Sequence, residues 1–190
     1  MFVPHIIEKT GRSEKLLDLQ SRLLKDRIIY LSGTITDELA NVIIMQLLWL
    51  NADDPDEHIN LYINSPGGSV YSGLAIKDIM YNIKNPVNTL GVGICASMGS
   101  YLLASGTGTR KATENCRIMI HSVSSGTSGT VHDIEIDYKE TKSLHNKLLL
   151  DMSKFSKGKT SYEEFKNLTE RDFYMDTEIA ISLGLVDSKI

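Results

Sequence analysis

The stretch INLYINSPGGSV, from Ile59 to Val70, decides the fold because it predicts a strand, a tight turn and a helix in direct succession. Apolar and polar side chains alternate from Ile59 to Ile63, which is the period of a strand with one buried face. The turn Ser65-Pro66-Gly67-Gly68 ends that strand, and a helix is predicted from Val70 to about Tyr81. A strand that leads directly into a helix is the unit from which α/β proteins are built.

The same unit recurs along the chain. Further strands are predicted at four places: Arg27–Leu31, Val87–Val92, Arg117–His121 and, short and extended, Phe173–Met175. Helices are predicted over Asp37–Leu50, Ser97–Ala104 and His132–Ser153, with a last one that begins at Asp176 or Thr177 and ends at Gly184. Four or five strand–helix repeats favour an α/β fold with a parallel-type sheet.

Composition is that of a single globular domain. The chain has 190 residues, with 20 Lys and Arg against 24 Asp and Glu, and therefore a formal net charge of −4. A chain of this length can bury a core without a disulfide or a metal ion. Its basic residues are scattered rather than interleaved with aromatic ones, so no nucleic-acid partner is expected.

Signals for secretion or membrane insertion are not found. The N-terminus has no basic segment followed by a long apolar one. The most apolar stretch, Val42–Leu50, is far shorter than the roughly 20 residues that cross a bilayer. Cys95 and Cys116 each lie alone in an apolar stretch, which favours two reduced core thiols. These features predict a soluble, cytoplasmic protein with no membrane partner.

The helix predicted from Asp37 carries two apolar stripes at helical spacing. The first consists of Leu39, Val42, Ile43, Leu47 and Leu50, and the second of Ile44, Met45, Leu48 and Trp49. A helix that is apolar over most of its circumference is normally buried on most sides. The second stripe faces either the same core or another subunit, and we favour a subunit interface.

Two turns of small residues follow predicted strands. Gly67 and Gly68 let the backbone turn sharply and leave N–H groups free for an anion or an oxyanion, although a plain tight turn explains the same residues. Ser97 follows the second strand at a helix N-terminus, where it is either a nucleophile or only the cap of that helix. The chain has no P-loop and no GxGxxG motif, so a nucleotide site is not expected.

A nucleophilic serine needs a base, and His121 is the candidate among five histidines. It ends an apolar strand, where α/β folds place ligands, although a structural role explains it too. His145 lies in the long helix among charged residues and is expected to be solvated. Asp172, next to an apolar strand, is the candidate carboxylate partner, and an ion pair of Asp172 with Arg171 or another basic residue is an equally good explanation.

Segments in family order resemble the proteolytic subunits of the ATP-dependent Clp proteases (ClpP) over nearly the whole chain. They are Val3-Pro4 with Ile7-Glu8, Ser21–Leu24, Asn64–Gly68, Ala96–Gly99, Arg117–His121, Asp133–Ile136, Glu170–Asp172 and Gly184–Asp187. The resemblance implies a crotonase-like α/β fold with a long protruding helix for contact between rings. It implies a single peptidase domain over 1–190, with an N-terminal axial segment of about 1–20 and a strand-plus-helix handle of about 122–160.

The same resemblance implies a serine endopeptidase. Its catalytic triad would be Ser97, His121 and Asp172, in that order along the chain. The backbone N–H groups of Gly68 and Met98 would form the oxyanion hole.

Further implications concern substrates and partners. The backbone of Ser124, Ser125 and Gly126 would pair with the substrate as an added strand. Family members stack two heptameric rings into a closed barrel that receives unfolded polypeptides from an AAA+ unfoldase. This implies a homo-oligomer, or mixed rings with a paralogue, in which Arg171 joins ion pairs between rings. No cofactor is implied for this subunit, since the partner unfoldase uses the ATP.

The chain departs from the family pattern at several positions. Ser122-Val123 stands where Gln-Pro is usual, Ser125 replaces one of two glycines, and Gln20 replaces a tyrosine. Polar residues stand where many members have apolar or aromatic ones that receive the unfoldase loops: Asn60, Asn82 and Lys111. These changes suit a divergent paralogue or a different partner ring. Two alternatives remain: another crotonase-fold enzyme, such as an acyl-CoA hydratase or hydrolase, and a non-catalytic ring subunit.

Overall fold

The structure is a computed structural model that describes residues 4–10 and 13–190. The strands of this part of the chain are β1 His5–Thr10, β2 Ser13–Asp18, β3 Ile28–Ser32, β4 Ile59–Ser65, β5 Val87–Ala96, β6 Arg110–Ala112, β7 Arg117–Ile120, β8 Phe173–Met175 and β9 Ser188–Lys189. The helices are α1 Leu19–Lys25, α2 Asp37–Asp53, α3 Val70–Asn82, α4 Met98–Ala104, α5 Val131–Phe155, α6 Tyr162–Leu168 and α7 Thr177–Ser182.

A seven-stranded sheet forms the centre of the molecule. Its main path runs β3-β4-β5-β6-β9, and β7 pairs with β5 on one side and with β8 on the other. Every pairing in this sheet is parallel except that of β7 with β8. Parallel neighbours need crossover connections, and helices supply most of them here. The predicted α/β fold with a parallel-type sheet is confirmed.

The strand β5 is longer than the sequence predicts, because it bends and serves two neighbours. Its first half, Thr89–Gly91, pairs with β6, and its second half, Ile94–Ala96, pairs with β7. Between the halves, Gly93 adopts φ +67° and the register against β4 shifts. The side-chain Oδ1 of Asn64 accepts a hydrogen bond from the Ile94 N–H at 3.2 Å, which holds the bend. The strand therefore continues to Ala96 and delivers Ser97 to the end of β7.

The hydrophobic core lies between this sheet and the helices packed on it. Burial alternates along β4, where Ile59, Leu61 and Ile63 are buried and the residues between them are partly exposed. The helix α4 is buried at every position because small and apolar residues surround it on all sides. A helix held in this way gives Ser97, which precedes it, a rigid support.

The helix α2 leaves an apolar face uncovered. The Thr36 hydroxyl caps it by accepting the Leu39 N–H at 3.3 Å. The buried side faces the sheet through Ala40, Ile43, Leu47 and Leu50. Large apolar side chains on the opposite side are exposed: Val42, Met45, Leu48 and Trp49. Three residues of the second stripe are thus exposed together with Val42 of the first, whereas Ile44 packs partly against the core.

The two segments that the family resemblance sets apart, the axial segment and the handle, lie at the periphery. Within the expected axial segment, β1 and β2 pair as an antiparallel hairpin, and residues 1–3 and 11–12 lie outside the described residues. In the expected handle, residues 121–130 form no strand, and α5 begins at Val131 behind a capping box of Thr130 and Asp133. Among the described residues no strand pairs with 121–130, so the backbone groups of this segment have no ladder to join.

No helix in the described ranges is both long enough and apolar enough to cross a membrane.

Candidate active site

Ser97 lies at the junction of β5 and α4 with an unusual backbone. Its φ of +53° and ψ of −122° lie in a region that residues other than glycine rarely adopt. Its N–H donates to the Met119 carbonyl at 2.8 Å, and its own carbonyl accepts the Ser100 hydroxyl at 2.7 Å. Its side chain makes no capping bond to α4. The interpretation of Ser97 as only a helix cap is therefore wrong, since the hydroxyl is not used by the helix.

The hydroxyl of Ser97 contacts a histidine instead. Its Oγ lies 2.9 Å from Nε2 of His121, which is within hydrogen-bond range for proton transfer. The parallel pairing of β5 with β7 places Ala96 opposite Met119, so both chains end side by side at this edge. The His121 side chain is 27% exposed and therefore reachable from solvent.

Asp172 lies on the other side of the same imidazole. Its Oδ1 is 3.3 Å from Nδ1 of His121. The antiparallel pairing of β7 with β8 places Ile120 opposite Phe173, and this brings the two flanking residues together. Arg171 is exposed and makes no ion pair within the described chain, so Asp172 pairs with His121 and not with Arg171.

The glycine turn packs directly against Ser97. A Cβ added to Gly67, which has φ +98°, would lie 2.6 Å from the Cβ of Ser97. A Cβ on Gly68, at φ +153°, would lie 2.3 Å from the carbonyl oxygen of Ile35. The Ser65 hydroxyl ties the turn together by donating to Gly33 O at 2.6 Å and accepting the Gly67 N–H at 3.1 Å. Only glycine fits at these two positions, which a plain surface turn would not require.

Two residues with free backbone N–H groups line the same pocket as Ser97. Gly68 and Met98 both line the pocket onto which Ser97 and His121 open. Within the described ranges, neither N–H donates to a protein acceptor. The N–H of Met98 belongs to the first turn of α4, where no acceptor exists within the helix. Free N–H groups at such a place can receive a hydrogen bond acceptor that develops negative charge.

The pocket beside Ser97 has walls from α3, α4 and α5. Its apolar lining comes from Val70, Met98, Tyr101, Ile120, Val123, Leu148 and Met152. His145 of α5 lines it as well, and burial lowers the pKa of its imidazole. His145 is thus partly buried in the pocket wall, whereas the sequence predicts a fully solvated side chain. Its spacing from Leu148 and Met152 on one helix face was the signal that could have found it.

A groove continues from this pocket along α5. Val70, Val123 and Ser124 border both the pocket and the groove, and Ser125 borders the groove. Gly126 is exposed next to it without lining it. On the far side stand carboxylates of α5, one of which, Glu140, accepts the Tyr71 hydroxyl at 3.1 Å.

Three polar residues, Asn60, Asn82 and Lys111, stand at positions that in the family receive the unfoldase loops. Two of them line another groove together. Asn60 and Lys111 line it together with Tyr62 and Leu90. The Asn88 amide donates to Oδ1 of Asn60 at 3.1 Å. Asn82 is the exposed last residue of α3 and does not line this groove.

Two pairs of residues near the site are in contact although the sequence does not predict it. Cys95 and Cys116, which the sequence presents as isolated, have their Sγ atoms 4.0 Å apart, and both are free, buried thiols. Under the pocket, the Tyr101 hydroxyl donates to Oδ2 of Asp151 at 2.9 Å. Burial, together with the charge of Asp151, raises the pKa of Tyr101, so this phenol stays protonated. Both pairs join residues from distant segments, so no local sequence pattern predicts them.

The site has the arrangement of a serine hydrolase: a hydroxyl, an imidazole and a carboxylate lie in contact, and free N–H groups line the same pocket.

The comparison with known families agrees with this class of enzyme. The model of the Clp protease family matches residues 11–190. The chain is 47% identical over 186 residues to the ATP-dependent Clp protease proteolytic subunit 1 of Prochlorococcus marinus (strain MIT 9312), an alignment that covers 97% of this chain and 94% of the relative. The chain belongs to the Clp protease family, and thus to the serine peptidases. This membership excludes the acyl-CoA hydratase alternative.

Proposed function

We propose that this chain is an endopeptidase subunit that uses Ser97 as nucleophile, His121 as general base and acid, and Asp172 to orient His121. The observation that carries this proposal is the 2.9 Å contact between the Ser97 Oγ and the His121 Nε2, made by a serine whose backbone is held at positive φ. Strained backbone of this kind persists where the surroundings enforce it, and it clusters at active sites.

The chemistry follows from the positions of the atoms. Ser97 Oγ attacks the peptide carbonyl while Nε2 of His121 takes its proton. The oxyanion that forms accepts hydrogen bonds from the N–H groups of Gly68 and Met98. His121 then gives the proton to the leaving amine, and the acyl group stays on Ser97. A water molecule, deprotonated by His121, releases the acid product and restores the hydroxyl.

Asp172 acts through the imidazole. Its carboxylate, 3.3 Å from Nδ1 of His121, favours the tautomer with the proton on Nδ1, which leaves Nε2 able to take the serine proton. The same negative charge stabilises the imidazolium that forms during the reaction. With more than half of its side chain exposed, 58%, Asp172 depends on the β7–β8 pairing and not on burial for its position.

Covalent labelling with a fluorophosphonate tests the nucleophile. We expect one adduct, on Ser97, and none in Ser97→Ala, in which peptide hydrolysis should fall by about a millionfold. His121→Ala should label far more slowly, whereas His132→Ala, a change of an exposed histidine on α5, should label like the wild type. A wild-type protein that takes up no phosphonate would support the alternative of a non-catalytic ring subunit.

The groove that continues from the pocket supports a proposal about substrate binding. Ser124 and Ser125 border it and Gly126 follows them, and in the described part of the chain none of the three pairs with a strand. An extended peptide would supply that partner. Recognition through main-chain hydrogen bonds depends little on side chains, which suits an enzyme that degrades many unfolded polypeptides.

The exposed apolar face of α2 supports assembly. Val42, Met45, Leu48 and Trp49 lie together on one helix face, and contiguous exposed apolar surface commonly marks an interface. We propose two stacked heptameric rings of this chain, or rings mixed with a paralogue, with Arg171 in ion pairs between the rings. The guanidinium of Arg171 is exposed and has no ion-pair partner among residues 4–10 and 13–190, so it is available for that role.

A partner unfoldase completes the proposal. The relative from Prochlorococcus carries the words "ATP-dependent" in its name, and in our proposal an AAA+ ring consumes the ATP and delivers unfolded chains. No cofactor is proposed for this subunit. The groove of Asn60 and Lys111 presents an amide and an ammonium group beside Tyr62 and Leu90, which favours a docking loop with polar side chains.

A further inference from the structure

Some polar side chains of the pocket beside Ser97 make hydrogen bonds within the protein and others do not. The Ser100 hydroxyl donates to the Ser97 carbonyl at 2.7 Å, and the Tyr101 hydroxyl donates to Asp151 at 2.9 Å. Ser124 stands at the rim and is exposed to water. His145, by contrast, is partly buried in the wall, and within the described ranges it makes no hydrogen bond or ion pair.

An imidazole in this position is neutral near pH 7 and has one donor and one acceptor nitrogen. Partial burial, which lowers the pKa of His145, disfavours the charged form. The water that solvates its ring nitrogens must leave when a substrate side chain fills the pocket. A polar group left desolvated without a partner costs free energy, and a substrate group that bonds to it removes that cost.

We propose that His145 is a specificity-determining residue, which lets this pocket accept substrate side chains that carry a hydrogen-bonding tip on an apolar stem. The pocket adjoins the Ser97 hydroxyl, so it receives the side chain next to the attacked carbonyl; this step rests on the proposed role of Ser97. Val70, Leu148 and Met152 contact the stem, and His145 bonds the tip. Glutamine fits this description, and methionine has nearly the same shape without the amide.

Two peptides that differ only in glutamine or methionine at the residue before the cleaved bond test the proposal. With the assembled protein at pH 8, His145→Leu should lower kcat/KM for the glutamine peptide about fivefold relative to the methionine peptide. His145→Gln, which keeps a donor and an acceptor, should retain the wild-type ratio, and His145→Phe should behave like His145→Leu. His132→Leu on the same helix is the matched control and should change neither value.

The outcomes separate this proposal from the one on which it rests. A glutamine-to-methionine ratio that stays at the wild-type value in both His145→Leu and His145→Phe would overturn the role of His145 while leaving Ser97 as the nucleophile. A ratio that falls equally in His145→Gln would assign the effect to pocket shape and would also overturn it. If the wild-type protein cleaves neither peptide and Ser97 takes up no phosphonate, it is the proposed function that fails.

Discussion

Ile120 and Phe173 are antiparallel partners in the pairing of β7 with β8, and His121 and Asp172 are the residues that flank this pair on the same side. On its other edge, β7 pairs in parallel with β5, where Ala96 lies opposite Met119 and Ser97 comes next. The four-residue strand β7 thus holds both contacts of the candidate triad. Its register determines whether the hydroxyl, the imidazole and the carboxylate meet.

Asp172→Asn should lower kcat by about ten thousandfold, because an amide no longer fixes the histidine tautomer. The variant should keep its fold and assembly, since the replaced carboxylate is more than half exposed. Peptide hydrolysis measured across pH gives the check, as the variant should regain part of its rate at high pH. Asp176→Asn is the control: Asp176 caps α7 by accepting the Ile179 N–H at 2.9 Å, and asparagine caps equally well. Equal losses in the two variants would count against Asp172.

Gly67→Ala should disable the site, whereas Gly33→Ala should not. Both glycines have positive φ, +98° and +81°, so both substitutions carry a backbone cost of about 1 kcal/mol. A Cβ on Gly33 meets nothing within 4 Å, but a Cβ on Gly67 would lie 2.6 Å from that of Ser97. We expect a loss of at least a hundredfold in kcat for Gly67→Ala alone, because the donors of the oxyanion site shift. Thermal unfolding of both variants separates this loss from a general loss of stability.

Asp187→Asn should destabilise the fold by about 3 kcal/mol at pH 7, because it leaves the Arg110 guanidinium buried without its counter-charge. Arg110 is only 3% exposed, and its Nη2 lies 2.6 Å from Oδ1 of Asp187. Burial alone would raise the pKa of Asp187, but hydrogen bonds from Arg110 and from Lys157 outweigh it and hold that pKa well below its usual range.

The pH dependence follows from the sign of this shift. A depressed folded-state pKa contributes stability above the unfolded-state value, about 3.9, and loses it as the pH falls towards the folded-state value. The difference in unfolding free energy between wild type and Asp187→Asn should therefore shrink below about pH 4 in denaturant titrations. Asp53→Asn is the control, because Asp53 is exposed and lies 3.5 Å from Arg27. A difference that is constant from pH 7 to pH 3 would contradict this account.

Leu48→Glu should break the proposed ring, because it places a charge in the middle of the exposed apolar face of α2. Light scattering after gel filtration should report a much smaller particle than for the wild type, with an unchanged circular dichroism spectrum. Asn167→Glu, at an exposed position on α6, adds the same charge elsewhere and should leave the particle size as it is. Particles of equal size in all three proteins would show that this face is not the interface.

Much of the fold follows from local patterns. The alternation from Ile59 to Ile63 and the paired glycines after it predict the start of β4, the turn and the start of α3 at Val70, although β4 continues to Ser65. The residues alone identified Ser97 as a candidate nucleophile, but a role as helix cap explained the same position equally well. The family resemblance joined it to His121 and Asp172, and the distances in the structure agree with that set.

The remaining features depend on contacts between distant segments. His145 belongs to the pocket only because α5 packs across α4, and the two cysteines meet only because β5 bends to reach β7. The periodicity of side chains along the chain determined which residues form strands and helices, since it depends on burial of one face of each element. The order of the strands, their registers and the approach of side chains within 3.3 Å were decided by tertiary packing, because these depend on pairs that no local window contains.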